Sequence, residues 1–404
     1  MGFREIAAKI GVMQYPEKLD RLYNELSSTT ESACNLALID RLQEEHDLFG
    51  KYYDIVRNTA QTVNADETYS AWVRVTANYI IEADLREARR LPIPAADVAE
   101  VTPLLPLYMM LPQIEQGISE YRRRGFGEEE LAERISAYRN GIATVEARTG
   151  EPGIDKVYYH WLMLFAKARI FKTQGVQFEM RTMLRSAIYL RHKESKAVAA
   201  VMLRGKFHAS GIQHLGSGGF EDSAGAFEPT FTEDNENYYG HSVDNGRVSA
   251  KPQVFSKKDW EIFAKPGDPC FAMHFPKGAD ISQESLDRAY ASARKIVKER
   301  YPEFKGQLVE CVSWLLDPTL VEILGEKSRI SVFSKSFIKY PQKGAGREGF
   351  GYVFGKFSGD LADLPEETSL QRGLKQLYLS GGHTFSYVGI WYRGGDHYES
   401  FSDR

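Results

Sequence analysis

The sequence predicts an α+β protein, α/β in its second part: a helical N-terminal domain over residues 1–150, then a mixed α/β domain over 151–404, with the boundary between 149 and 176. Three observations predict it. Between Pro16 and Arg90 there is no proline and a single glycine, and apolar residues recur at helical spacing. After Gly175 the period changes: VQFEM, AVAAVML and CFAMHF are short runs rich in apolar, β-branched and aromatic residues. From Cys270 to Leu316 the pattern reads strand, loop, helix, strand, which is the order of a βαβ crossover with parallel strands. A chain of 404 residues also exceeds one ordinary core, so two domains are expected.

The elements follow in order. Trp72, Val75 and Tyr79 lie at i, i+3 and i+7, a stripe that should face a core. Pro92 and Pro94 break the pattern, and MMLPQIEQGISEYRRRGFG starts a second helical stretch. It turns at Gly125–Gly127 and resumes from Glu128 to about Ala147. TGEPGID, residues 149–155, reads as a linker or tight turn. KVYYHWLMLFAKARIFKTQG reads as one more helix, capped by Gly175. Residues 205–250 are rich in Gly, Asn, Asp and Ser, and read as loops or irregular strands that are ordered and functional.

From Cys270 onward CFAMHF is a strand ending at Pro276, and PKGADIS is a turn in which Asp280 or Ser282 can cap a helix. Leu286, Tyr290, Ala293 and Val297 share one face of that helix. GQLVECVSWLLDP is a buried strand, DPTLVEILG a short helix, and RISVFSKSFIKYP a returning strand. Thr368 and Gln371 have the spacing of a capping box opening a helix that carries Leu370, Leu374 and Leu377. SYVGIWY is the last strand.

Apolar residues make up 43% and charged residues 26%, with net charge −4 and both signs scattered. That excludes a basic nucleic-acid footprint and a polybasic membrane patch. Neither a nucleic-acid nor a membrane partner is expected. Cys34, Cys270 and Cys311 are too few and scattered for a disulfide framework or zinc cluster, so a reducing, cytoplasmic setting is expected. The first 20 residues lack the continuous apolar stretch of a signal peptide, and no run of about 20 apolar residues occurs.

Phosphate-loop, zinc-protease, CxxC and serine-hydrolase signatures are all missing. The positive candidates lie around the Cys270 strand. A strand entering a glycine turn and then a helix gathers backbone N–H groups and a helix dipole where a pyrophosphate could sit, and Lys277 beside Gly278 adds charge. The same arrangement arises at any βα turn. His274 ends the strand and could act as a general base, or be a hydrogen-bonded histidine at a sheet edge. Glu310 stands inside an apolar run, where burial could raise its pKa or a cation could pair with it. His241, in YYGHSVDNG, could contact substrate or be a solvated loop histidine. Ser313 and Trp314 could line a pocket, whereas Cys311 reads as core. His208, His214 and His241 match no metal-site spacing, and no metal is expected.

These residues carry a resemblance. His274-Phe275-Pro276-Lys277-Gly278, then Cys311-Val312-Ser313-Trp314-Leu315-Leu316-Asp317, then Ser328-Arg329-Ile330, together with LPEETSLQRGLKQLYLSGG and GVQFEM, are similar to segments of a bacterial family of GNAT-like acyltransferases. Two positions depart from it. Val312 stands where the family shows histidine, and PKGADIS replaces the usual GNAT pyrophosphate loop. The resemblance implies a GNAT-like second domain with a V-shaped gap between the Cys270 and Glu310 strands. It implies an N-acyltransferase that takes acyl-CoA or acetyl-CoA as co-substrate and an amine of a small molecule or peptide as acceptor. His274 or Glu310, with His241 as a further choice, would be the catalytic base. Phe275, Lys277, Gly278, Ser282 and Ser313 would contact the donor. The alternatives are a silent GNAT-like binding module, or a donor carried on a carrier protein or as aminoacyl-tRNA.

Overall fold

The computed structural model describes residues 2–26, 31–94, 101–184, 186–212, 224–276, 278–306 and 308–391. The chain divides into two units, Met1–Phe171 and Lys172–Arg404.

The first unit is helical, as the proline-free periodic stretch predicts. Its helices are α1 (Phe3–Lys9), α2 (Lys18–Glu25), α3 (Leu36–His46), α4 (Tyr53–Ala65), α5 (Glu67–Glu82), α6 (Leu85–Arg89), α7 (Leu105–Arg123), α8 (Glu128–Thr149) and α9 (Lys156–Ala166). Trp72, Val75 and Tyr79 are all buried, so the stripe on α5 faces the core. Where α7 crosses α9, a Cβ on Gly117 would stand 2.4 Å from the carbonyl oxygen of Ala166, so only glycine permits that approach.

The helix read through to Gly175 ends earlier. Ala168 adopts a left-handed conformation with φ +49°, which breaks α9. The remainder becomes β1 (Ile170–Thr173), in which the unit boundary falls. Gln174 and Gly175, both at positive φ, form the two-residue turn of a hairpin with β2 (Val176–Thr182).

The second unit holds two sheets. Its other strands are β3 (Ala187–His192), β4 (Val198–Met202), β5 (Phe231–Glu233), β6 (Asn237–Asp244), β7 (Arg247–Val248), β8 (Gln253–Ser256), β9 (Trp260–Ala264), β10 (Pro269–His274), β11 (Leu308–Ser313), β12 (Phe337–Pro341) and β13 (Tyr387–Trp391). Six strands run in the order β1-β2-β10-β11-β13-β12. The other sheet runs β5-β6-β4-β3-β9, with β7 and β8 also on β6. The loop-rich stretch thus supplies ordered strands, although its residues 213–223 lie outside the described ones. Between the sheets, Tyr189, Ala200 and Met202 pack with Cys270, Leu308, Tyr340, Val388 and Ile390.

The helix α10 (Gln283–Arg300) joins β10 to β11, which pair in parallel as the crossover spacing predicts. Its Leu286, Ala293 and Val297 are buried, and its Tyr290 sets a ring edge on Trp391 at 4.9 Å. The remaining helices are α11 (Pro318–Leu324), α12 (Arg329–Lys335), α13 (Phe350–Phe354) and α14 (Ser369–Leu379). Two stretches read as strands turn helical at capping serines. Ser313 accepts from Leu315 N–H and bends Trp314–Leu316 into a 3₁₀ turn, and Ser328 accepts from Ser331 N–H and opens α12. Only Phe337–Pro341 of the second stretch is strand.

Asp317 ties the far end of β11 to β13. One carboxylate oxygen accepts from Thr319 N–H at 2.9 Å, the other from Phe385 N–H at 2.7 Å. The side chain is fully enclosed, and burial pushes its carboxyl up from the ordinary 3.8 to about 6, although these N–H groups and Lys339 oppose the shift.

The folded protein therefore holds this proton more tightly than the unfolded chain does. The contribution to stability is complete below pH 3.8 and is lost as pH rises through about 6. Urea unfolding between pH 4 and 7.5 should show this decline, and Asp317→Asn, though less stable throughout, should lose that part of the slope. At α14, Thr368 and Gln371 form the expected reciprocal cap. Thr368→Ala should lower unfolding stability by about 1 kcal/mol in the same assay.

Candidate active site

The register of the six-stranded sheet decides which side chains meet. Directly paired residues share a face, and so do residues two apart on a strand. Cys270 pairs with Arg181 and Leu308, and Ala272 with Glu179 and Glu310. His274 pairs with Gln177. Cys270 and Leu308 belong to the core between the sheets, so Glu179, Arg181, His274 and Glu310 all project from that same inner face.

The central strand carries only small side chains there, Cys270 and Ala272, which leaves room for the flanking ones to reach across. Arg181 on β2 does so, and its Nη2 donates to Glu310 Oε2 on β11 at 2.5 Å. Glu310 is completely enclosed. Burial raises its carboxyl pKa, and the Arg181 charge pulls it part of the way back. Glu310 is therefore a buried, paired carboxylate.

One row further along, the face opens. His274 is partly exposed, and its Nε2 lies 2.9 Å from Glu179 Oε2, whose carboxylate is buried beside Ala272. Val312, the next inward residue of β11, is 38% exposed although apolar. The two strands also part here. Their ladder ends at Met273 and Cys311; His274 continues on β2, whereas Val312 and Ser313 continue on Val388 and Tyr387 of β13. The ladder thus ends where the resemblance implies a fork, with His274 on one side and Val312 on the other.

The remaining predicted residues stand as follows. Phe275 turns its ring onto Phe333 of α12, edge to face at 5.2 Å. Ser313 is engaged in its own 3₁₀ cap at the root of Trp314. Gly278 takes φ +82° in the turn, and Lys277 lies outside the described residues. Ser282 caps α10 by accepting from Ser285 N–H, and its hydroxyl donates to Asp280. Asp280 also accepts from Ser282 N–H, so a carboxylate already stands at this helix end. These bonds hold the Asp280 carboxyl below the usual carboxylate range.

His241 stands on β6 of the other sheet, paired with Met202. It is buried, its Nδ1 is 2.9 Å from the Ser249 carbonyl, and its ring stacks on Phe227 at 5.5 Å. Of the three histidines weighed as metal ligands, His214 lies outside the described residues. Glu179 and Arg181 were not singled out from the sequence. The signal was there: two charged residues two apart on the apolar run VQFEMRT must share one strand face.

Chemically, the mouth offers an imidazole oriented by a buried carboxylate, the arrangement that positions a general base. The ion pair behind it has a separate consequence. Glu310→Ala leaves a buried guanidinium unpaired and should cost about 3–5 kcal/mol in denaturant unfolding. The double change Arg181→Met with Glu310→Leu should recover most of that loss.

No curated protein sequence matches the chain. Solved structures do. An acyltransferase mutant in complex with octanoyl-CoA aligns with TM-score 0.60 at 15% identity, covering 96% of this chain and 99% of that one. An acyltransferase in complex with CoA and 10C-teicoplanin, and one with decanoyl-CoA and teicoplanin, align at TM-scores 0.58 and 0.56 with the same identity and coverage. At this identity the likeness establishes the fold. The sequence model of the family described as GNAT-like C-terminal domain matches residues 174–391, more than half of the chain. The chain belongs to the family of proteins with a GNAT-like C-terminal domain.

Proposed function

We propose that the protein is an acyl-CoA-dependent N-acyltransferase. The observation that carries this reading is the fork between β10 and β11 with the His274–Glu179 pair at its lip. A thioester lying between the prongs would present its carbonyl to backbone N–H groups that no longer pair across the fork. The acceptor amine gives its proton to His274 and attacks that carbonyl. The new C–N bond forms, the C–S bond breaks, and CoA leaves as a thiolate that takes up a proton. Glu179 holds the imidazole in place and compensates its positive charge once protonated.

The mouth is apolar on its β11 side, where Val312 is exposed. That suits a fatty acyl chain better than an acetyl group. The structures this chain resembles hold octanoyl-CoA, decanoyl-CoA and teicoplanin, which supports a medium-chain donor and a small-molecule or peptide acceptor. Acyl-CoA is thus the proposed co-substrate.

One observation favours a second reading. Asp280 and Ser282 fill the α10 N-terminus, where a pyrophosphate would otherwise sit. A donor presented on a carrier protein would avoid that carboxylate.

Octanoyl-CoA should raise the unfolding temperature and acetyl-CoA should do so less, since each buried methylene adds about 0.8 kcal/mol. If no acyl-CoA binds in calorimetry but an acyl-carrier protein does, the donor is the second one. If neither binds, the acyltransferase reading fails. Once an acceptor is found, His274→Ala should reduce kcat by roughly 10²-fold or more while leaving donor affinity near wild type.

A further inference from the structure

The row of the sheet that carries His274 carries a second polar side chain. Gln177, on β2, pairs directly with His274. Directly paired residues project to one face with their Cβ atoms about 5 Å apart, so the carboxamide and the imidazole stand side by side. Gln177 is half-buried, although Val176, Phe178, Glu179 and Met180 around it are all buried. The charged groups further along this face are committed, Arg181 to Glu310 and Glu179 to His274. The Gln177 side chain makes no hydrogen bond among the described residues.

A carboxamide carries two N–H donors and a carbonyl acceptor. Register places them on a definite side of the base. Across the face the order is Gln177 on β2, His274 on β10, then the end of the β10–β11 ladder with Val312 beyond it. A donor entering between β10 and β11 reaches the imidazole from the β11 side. An amine resting on His274 therefore leaves the rest of its molecule the β2 side, over Gln177. One strand spacing, about 4.8 Å, separates the two positions, a distance that a few bonded atoms span. An amide that close to the amine offers a carbonyl and an N–H together, which answers both halves of the carboxamide. A simple alkylamine displaces the water on Gln177 and returns no hydrogen bond.

We propose that Gln177 is a specificity-determining residue that selects acceptors carrying an amide beside the reacting amine, as in an amino-acid amide or at a peptide N-terminus. The inference rests on the acyl-transfer reading with His274 as base. Octanoyl-CoA would be the donor, and glycinamide and isobutylamine, which have the same shape, the acceptors. Release of free CoA gives kcat/KM for each. In Gln177→Met, which keeps the length of the side chain, the ratio of glycinamide to isobutylamine should fall roughly tenfold, through KM for glycinamide. A merely structural change would lower both rates and keep the ratio. Should Gln177→Met fail to fold, Gln177→Leu gives the same readout. An unchanged ratio overturns the assignment and leaves acyl transfer standing. So does a wild-type protein that binds octanoyl-CoA but acylates neither amine. If the wild type binds no acyl donor at all, the acyltransferase reading fails and this inference fails with it.

Discussion

A sheet face that must be dry also carries two carboxylates, a guanidinium and an imidazole, and the second unit is organised around that conflict. Removing an ion from water costs several kcal/mol unless a partner and good geometry repay it. Arg181 and Glu310 meet this demand by closing over the strand between them, which is possible because β10 presents Cys270 and Ala272 there. One row outward the second carboxylate, Glu179, has a partner that reaches solvent. Burial grades from closed to open along one face, and the imidazole of His274 stands where the gradient ends.

The surroundings of the mouth are held from behind. Asp317 joins the start of α11 to the approach to β13, and Ser313 bends the chain so that Trp314 leaves the strand direction. On the other prong Phe275 is anchored on Phe333. The open end therefore rests on a framework of capped turns and ring contacts.

Much of this was legible in the sequence because it depends on local chemistry. The α5 stripe, the α10 face and the Thr368–Gln371 cap are each written within a turn or two, and the parallel β10–β11 pair follows from the length of the crossover. The failures are equally local. Val–Phe–Ser alternation in RISVFSKSF reads as strand until Ser328 is recognised as a cap, and ARIF reads as helix until Ala168 takes a left-handed conformation. Non-local facts were less accessible. Glu310 could be marked as a carboxylate needing a partner, but the identity of that partner lies 129 residues away and depends on register. His241 shares histidine's chemistry with His274, and only the sheet assignment separates them.

The end of the β10–β11 ladder also has a mechanical meaning. Beyond Met273 and Cys311 the last residue of β10 stays on β2, whereas the last two of β11 stay on β13. Under the proposed reading a donor lodged between these ends would act as a wedge, and its load would fall on the last pairs of the ladder. The Arg181–Glu310 bridge spans β10, from β2 to β11, just behind that point. It would then serve as a rivet, confining any opening to the outer row and keeping the sheet behind it from unzipping.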